Sequence, residues 1–541
     1  MSSAAQSQSP SAPNPPRSDA APWKPHHNRW VVALTVTLAT FMEILDTSVA
    51  NVALPHIAGG LSATVDESTW VLTSYLVANA IVLPASAWAS TFMGRKRFYM
   101  SCVAIFTISS LLCGIAPSLG LLIAFRCMQG AGGGGLAPVE QGILADTFVG
   151  GDLGMGFAVY GMAIVLAPII GPTLGGWITD NFNWRWIFFI NIPIGILSLL
   201  LSYEVVEDPP YLETERQAAF ARGFRVDYVG LALLALTFGP LQVMLDKGEE
   251  AGWFQSHFIV IFGVVSLLAL IVGVVWELRH DHPIVDLRLF KNRSFAVAAA
   301  LMFALGVMLY STTFMLPVFV QMLMGYTAEL AGLMISPGGI AILVLMPLVG
   351  ALSARVDARW LVAVGFIAMA ISLYILTGID LQIDFWHGVM LRVYQCIGLA
   401  FLFIPLNTLA YTDSAQEDNN QISGLVNLMR NVGGSVGISL GAAMVIERAQ
   451  LHQARLVSSV TNYDPGMRSA IRNLARQLTH AGISSADATA HARAQIYVAV
   501  QGQAQALAYI DVFYVLAIMS AALPLLLFLA RKPAPGALPM H

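Results

Sequence analysis

The chain has 541 residues, of which 57% are apolar and only 11% are charged, and its formal net charge is −4. Soluble globular domains carry about 25% charged residues, so this composition excludes an ordinary soluble domain and indicates an integral membrane protein. The weak net charge gives no reason to expect nucleic acid as a partner. The four cysteines fall within apolar segments and predict neither a disulfide framework nor a metal site.

Apolar segments recur along nearly the whole chain. A helix that crosses a bilayer needs about 20 mostly apolar residues, and fourteen segments meet that length without the alternation of barrel strands. The predicted fold class is therefore all-α integral membrane. The segments lie at about 30–54, 68–90, 98–117, 119–145, 153–179, 186–204, 227–246, 256–278, 295–322, 328–353, 359–379, 386–411, 421–447 and 505–530.

Basic residues predict the orientation and the repeats predict the domains. Lys and Arg concentrate in the tails and in alternate loops, which favours both termini in the cytoplasm and a location in the cytoplasmic membrane. A weak repeat relates the loop at Ala87 to the loop at Gly350, eight segments later, and indicates two six-helix halves separated by two extra helices. The predicted units are a disordered cytoplasmic tail 1–28, a first half 29–205, inserted helices 206–294, a second half 295–530 with external loop 449–504, and a tail 531–541.

Asp46 is the most informative residue, because it lies inside the first apolar segment with Glu43 one turn earlier. A carboxylate at membrane depth costs about 2.5 to 3.5 kcal/mol, so it needs a cation, water or a proton. Arg126 in the fourth segment is the expected partner, since arginine stays charged. Glu43 and Asp46 share a helix face and are expected to titrate as a pair. This group predicts proton coupling, whereas the alternatives are a snorkelling Asp46 and a static ion pair or interfacial position for Arg126.

Other residues are weaker candidates for substrate binding or coupling. Glu140 is a third acidic candidate, with a solvated charge at a helix end as its alternative. Arg430 is a buried cation of the second half, for which structural bridging is the alternative to substrate contact. Aromatic and Met side chains accept varied ligands but also serve as core or lipid-facing residues. These candidates are Tyr75, Tyr310, Phe314 and Met315.

Small residues repeat every four positions in two segments. In the fifth segment Ala167, Gly171 and Gly175 predict a close helix contact, and the prolines beside them favour a bend. In the fourth segment Gly130 and Gly134 have the same spacing and predict a thin helix face that leaves room for a cavity. The remaining members of these two sets are Pro168, Pro172 and Gly176.

Taken together, four motifs resemble those of the fourteen-helix drug:proton antiporters of the major facilitator superfamily, and the stretch from Val226 to Phe254 is most similar to the Emr-type inner-membrane pump. The four motifs are Leu45–Pro55, Arg126–Gly132, Ala167–Gly176 and Asn183–Pro193. The resemblance implies export of small amphipathic compounds by alternating access, driven by the proton gradient without a cofactor. It also implies two partners, a periplasmic membrane-fusion adaptor and an outer-membrane channel.

The same resemblance assigns a cytoplasmic gating motif that includes Gly94, Arg95 and Lys96. The chain departs from that motif at Ala87, where the family has Gly, and at Thr91, where it often has Asp. A latch built on that Asp is therefore in question.

Two other points stay open at this stage. A dedicated exporter of one metabolite, siderophore or fatty acid would share the same features, whereas a channel fits the hinged helices less well and an enzyme lacks its motifs. External loop 449–504 is rich in Ala and Gln and is predicted to be helical. Its apolar face at Ile471, Leu474 and Leu478 is expected to dock an adaptor, with folding onto the pump's own surface as the alternative.

Overall fold

The computed structural model describes residues 25–148, 152–221, 227–280, 283–353, 355–412, 418–459 and 465–530. Within these ranges the regular structure is helical and no strand occurs. Only residues 25–28 of the predicted tail 1–28 are described, and the predicted tail 531–541 lies outside the described residues.

The first half and the inserted helices follow one another along the chain. They are α1 Arg29–Gly60, α2 Val65–Ser68, α3 Trp70–Met93, α4 Arg95–Gly114, α5 Leu119–Gly133, α6 Leu136–Thr147, α7 Leu153–Asn181, α8 Trp186–Phe189, α9 Asn191–Val205, α10 Pro210–Ala221, α11 Tyr228–Lys247 and α12 His257–Arg279. The second half comprises α13 Arg293–Met324, α14 Ala328–Ser353, α15 Ala358–Leu376, α16 Phe385–Ala410, α17 Asn419–Ser459, α18 Pro465–His480 and α19 Ser485–Ala522.

The spans agree with the predicted segments. In the described ranges 12 helices are long and apolar enough to cross a membrane, and the bent α7 raises this number to 13. The predicted fourth segment is divided into α5 and α6, neither of which is long enough by itself. Only Gly134 and Gly135 separate them, and both keep right-handed helical backbone angles, so the pair crosses as one further span. The all-helical, fourteen-segment fold class is thus confirmed.

The predicted external loop 449–504 is mostly helix. α17 continues to Ser459 and α19 already begins at Ser485, so both helices extend well beyond their predicted apolar segments, with α18 between them. The predicted apolar face of α18 is partly filled by the chain itself. α18 packs against α19 and Ile471 is buried, whereas Leu474 and Leu478 are half-buried.

Gly130 of α5 and Gly134, directly after α5, do not face a cavity. A Cβ atom at Gly130 would lie 2.2 Å from the backbone oxygen of Tyr75, and one at Gly134 would lie 2.6 Å from that of Asn79. Both glycines instead allow α5 to approach the backbone of α3. The room that the small residues leave is thus filled by a helix, which corrects the prediction.

The inserted helices are more than a spacer. α12 lies on the outer surface of the bundle, where only 17% of its most apolar segment is buried. α11 instead contacts both α3 and α17. Near the Lys247 end of α11, the Thr73 hydroxyl of α3 donates to Asp246. The Ser439 hydroxyl of α17 donates to the Leu245 oxygen at 2.7 Å. α11 therefore joins the two halves at this end.

α7 lies against α1 through part of its small-residue ladder. Ala167 is fully buried, and a Cβ atom at Gly171 would lie 2.3 Å from the Ser48 hydroxyl oxygen of α1. A Cβ atom at Gly175 would lie 3.1 Å from the Val49 side chain. Gly176 lies off this contact, because nothing is within 4 Å of its added Cβ atom. The prediction that Gly176 belongs to the packed face is wrong.

This difference provides a matched pair of variants. Gly171→Leu should lower stability by about 1 to 3 kcal/mol, because the added side chain must push α1 away from α7. Gly176→Leu should be nearly neutral, since the space beside it is open. Thermal unfolding of the two purified variants in detergent checks this, and equal melting temperatures for both would contradict the packing.

Candidate functional site

Asp46 forms the centre of a buried polar cluster. Its side chain is essentially inaccessible, and its Oδ2 atom accepts a hydrogen bond from Arg126 Nη1 at 2.5 Å. Its Oδ1 atom accepts from Gln129 Nε2 at 3.0 Å and from Asn191 Nδ2 at 2.6 Å. The three donors lie on α5 and α9 and satisfy an ionised carboxylate. Asp46 is therefore not a snorkelling helix-end charge.

Arg126 is held on every side by the first half. Its Nε atom donates to the Val71 backbone oxygen at 3.1 Å, and its guanidinium lies 4.4 Å from the ring centroid of Tyr75. Gln129, one turn after Arg126, accepts from Arg126 Nη1 at 2.8 Å and donates to Asp46. The pair is therefore enclosed and not interfacial.

The amides of this cluster were not assigned a role from the sequence. Gln129 and Asn191 both fall inside the quoted motifs, but an amide in an apolar segment does not by itself reveal which carboxylate it serves. Asn191 Nδ2 also donates to the Ser110 hydroxyl at 3.0 Å, which links α9 to α4. Polar residues within membrane helices are the signal that could have identified both.

Glu43 has its own donors. Its side chain is half-buried, and its Oε1 atom accepts from the Tyr75 hydroxyl and from Asn79 Nδ2, both at 3.0 Å. No hydrogen bond between described atoms joins Glu43 to Asp46. The expectation of a proton shared by this pair is therefore not met in this conformation. Tyr75 holds Glu43 and covers Arg126 instead of lining an open cavity.

Glu140 lies on α6 and is fully buried. Its Oε1 atom accepts from the Thr37 hydroxyl at 2.6 Å, whereas its Oε2 atom has no partner among the described residues. A solvated charge at the helix end is therefore excluded for Glu140.

Arg430 joins a chain of polar side chains that crosses between the halves. Its Nη1 atom donates to the Tyr160 hydroxyl at 3.1 Å, and that hydroxyl donates to Asn427 Oδ1 at 3.0 Å. Asn427 Nδ2 donates to Gln141 Oε1 at 2.8 Å, and Gln141 Nε2 donates to Asn407 Oδ1 at 3.3 Å. Arg430 forms no ion pair within the part of the chain that the structure describes. It is a bridging cation of the interface.

The gating motif forms a different contact from the one that its missing Asp would make. Arg95 is buried and donates to the Gly142 oxygen at 2.9 Å and to the carboxylate of Asp146, at the end of α6. Asp146 also accepts from the Tyr211 hydroxyl of α10 at 2.9 Å and from Asn419 Nδ2 of α17 at 3.0 Å. Burial raises the pKa of Tyr211, so its hydroxyl remains a donor. The latch therefore uses Asp146, which the sequence did not single out.

The neighbours of Arg95 shape the turn before α4. Gly94 has φ 88°, a left-handed conformation that favours glycine. The Lys96 backbone N–H donates to Asp208 at 2.8 Å, and its Nζ atom donates to the Tyr203 oxygen at 2.6 Å. Lys96 therefore ties α4 to the end of α9 and to the segment that follows it.

The remaining candidates on α13 differ in environment. Met315 is buried, and its Cε atom lies where a side chain at Gly441 of α17 would extend. Met315 is therefore a packing residue and not a cavity-lining one. Phe314 is 39% exposed, and Tyr310 is half-buried against Gly434.

Comparison with known proteins decides the family. The profile of the Major Facilitator Superfamily matches residues 36–438. The chain belongs to this superfamily. It is 38% identical to the multidrug export protein EmrB of Haemophilus influenzae, over 86% of this chain and 89% of that protein. It is also 38% identical to the fatty acid resistance protein FarB of Neisseria gonorrhoeae, over 82% and 86%. The predicted Emr-type resemblance is confirmed.

Solved structures of the superfamily share the fold. The human organic anion transporter MFSD10 aligns with a TM-score of 0.56 and 13% identity, over 92% of this chain and all of that one. The proton:xylose symporter XylE aligns with a TM-score of 0.56 and 13% identity, over 78% and 90%. At this identity the alignments support the major facilitator architecture only.

The Asp46 cluster predicts a specific stability pattern. Asp46→Asn should destabilise the protein by about 3 to 5 kcal/mol, because Arg126 then keeps a buried charge without its partner. The double variant Asp46→Asn with Arg126→Gln should recover most of this loss. Thermal unfolding in detergent is the measurement. If Asp46→Asn melts at the wild-type temperature, Asp46 does not balance the charge of Arg126.

Proposed function

We propose that this transporter exports amphipathic toxic compounds across the cytoplasmic membrane in exchange for protons. The observation that carries the proposal is a set of buried ionisable side chains. Asp46 and Arg126 lie within the first half, whereas Glu140 on α6 and Arg430 on α17 lie on helices that meet across the halves. Relatives of 38% identity named multidrug export protein EmrB support the direction of transport and the breadth of substrates. No cofactor is needed, because the proton gradient supplies the energy.

Alternating access follows from the contacts between the halves. At the Arg95 end, Asp146 of the first half accepts from Asn419 of the second, and Arg430 reaches Tyr160 nearer the middle. Release of these contacts would open that end toward the cytoplasm. In this proposal both termini are cytoplasmic and the Lys247 end of α11 faces outward.

The substrates are assigned by chemistry. Glu43 is half-buried and forms no ion pair within the described residues, and a carboxylate without a directly paired cation suits a cationic, amphipathic substrate. The second candidate is a dedicated exporter of one endogenous metabolite, siderophore or fatty acid. The relative named fatty acid resistance protein FarB favours it, as do the buried cations Arg430 and Arg392, which could attract a carboxylate.

An adaptor would dock on the helical extension formed by the end of α17, α18 and the start of α19. Its apolar face is partly covered by α19, so the docking face is the polar one, where Arg472 and Arg476 are exposed one turn apart. We assign this face to an acidic surface of a periplasmic membrane-fusion adaptor, with an outer-membrane channel beyond it.

The export proposal is tested by resistance and transport together. Cells that express the chain should resist several unrelated amphipathic toxins, and everted vesicles should accumulate ethidium until a protonophore dissipates the gradient. Vesicles without the chain are the control. Resistance to a single compound class would favour the dedicated exporter, whereas accumulation that survives the protonophore would exclude proton coupling.

The docking proposal is tested by charge reversal. Arg472→Glu with Arg476→Glu should leave vesicle transport intact but weaken co-purification with the adaptor at least several-fold, because like charges repel across an interface. The conservative double variant with lysine at both positions should retain the association. Undiminished co-purification of the Glu variant would place docking elsewhere.

A further inference from the structure

Glu140 is a poorly compensated carboxyl group in the interior that the structure describes. It is fully buried, one oxygen has the Thr37 hydroxyl as its partner, and the other has none. The Thr40 hydroxyl is likewise buried without a partner. No Lys, Arg or His among the described residues forms an ion pair with Glu140.

The neighbouring charges are already balanced without Glu140. Arg126 is paired with Asp46, whose two oxygens receive three donors. Glu43 receives two donors and also interacts electrostatically with Arg430. Two cations therefore balance two carboxylates. Glu140 is the third carboxyl beside two cations, so it has to share Arg430 with Glu43 and has no cation of its own.

An ionised carboxylate without a cation is costly in such a place. The Born cost of burying an ion is large, and a group in this situation binds a proton rather than remaining charged. With a proton on Oε2, Glu140 accepts from the Thr37 hydroxyl through Oε1 and has the unpaired Thr40 hydroxyl oxygen facing it as an acceptor for its O–H. The geometry thus fits a neutral carboxylic acid in this conformation.

The groups that face Glu140 come from every helix around it. α1 contributes Thr37, Thr40 and Glu43, whereas α4 contributes the Tyr99 hydroxyl. The Tyr160 hydroxyl of α7 and the Arg430 guanidinium of α17 complete the set. Arg430 is the one cation among these groups, and it belongs to the opposite half.

We propose that Glu140 carries the exchanged proton, whereas Asp46 stays ionised as the permanent counter-charge of Arg126. This inference rests on the proposed antiport. Glu140 takes a proton from water on the external side and keeps it while the Arg95 end is closed. When that end opens, the O–H bond breaks, the proton passes to cytoplasmic water, and Arg430 compensates the carboxylate that remains.

α6 links this step to the latch. Glu140 lies two residues before Gly142, whose oxygen accepts from Arg95, and six residues before Asp146. Gln141, between them, contacts both Asn407 and Asn427 of the second half. The helix that carries the acid therefore also carries the contacts that must break for water to reach it.

The test compares Glu140→Gln with Asp46→Asn. Infrared spectra of the purified proteins at neutral pH should show the carbonyl band of protonated carboxyl groups. Glu140→Gln should remove one component of that band, whereas Asp46→Asn, which removes a carboxylate that the proposal keeps ionised, should leave it unchanged. In proteoliposomes, Glu140→Gln should lose at least ten-fold of pH-gradient-driven ethidium uptake but keep exchange of ethidium for preloaded ethidium.

Two results would overturn the assignment. One is an unchanged carboxyl band in Glu140→Gln, and the other is wild-type gradient-driven uptake by that variant. Glutamine has the shape of the neutral acid, so the variant should fold, and its melting temperature should stay near that of wild type. The infrared result needs no substrate and therefore decides the state of Glu140 even if wild type transports nothing, in which case only the proposed antiport fails.

Discussion

Arg126 keeps its charge inside the bilayer, and the first half is organised around that constraint. A guanidinium cannot lose its proton under ordinary conditions, so its surroundings must supply a carboxylate, acceptors and an aromatic face. Asp46, Gln129, the Val71 oxygen and the Tyr75 ring provide them from α1, α5 and α3. The close approach of α5 to α3, which Gly130 allows, is what brings the Tyr75 ring over the guanidinium. The contact between α5 and α3 therefore provides both the packing of these helices and the aromatic face that stabilises the charge of Arg126.

The contacts within each half differ in kind from those between the halves. Arg126 with Asp46 and Arg95 with Asp146 are buried ion pairs inside the first half, and breaking such a pair costs about 3 to 5 kcal/mol. Across the interface, the described hydrogen bonds join amides, hydroxyls, one guanidinium and one carboxylate, without an ion pair. Net contributions of about 0.5 to 1.5 kcal/mol per such bond suit contacts that open in every cycle.

The sequence predicts the ion pair but not its setting, for a physical reason. A charge in an apolar segment has few possible partners, so Asp46 and Arg126 could be matched from position alone. Small residues permit close approach without saying what approaches, so the glycines of α5 were assigned to a cavity when they face the backbone of α3. The burial of Glu140 and the role of Asp146 depend on which helix faces are covered, which periodicity along one segment does not specify. The helical extensions were predictable because Ala and Gln have a high intrinsic helix propensity and recur throughout this segment.

The difference between the contacts within each half and those between the halves bears on which carboxyl can change its charge during transport. Loss of the charge on Asp46 would leave Arg126 uncompensated and weaken the joint between α1, α5 and α9 that makes the first half rigid. Loss or gain of a proton on Glu140 disturbs no ion pair in the part of the chain that the structure describes, because Thr37 is its one hydrogen-bonding partner there. Its compensating cation, Arg430, lies on the half that moves. A transporter that must remain rigid within its halves while altering the charge between them is therefore better served by Glu140 than by Asp46.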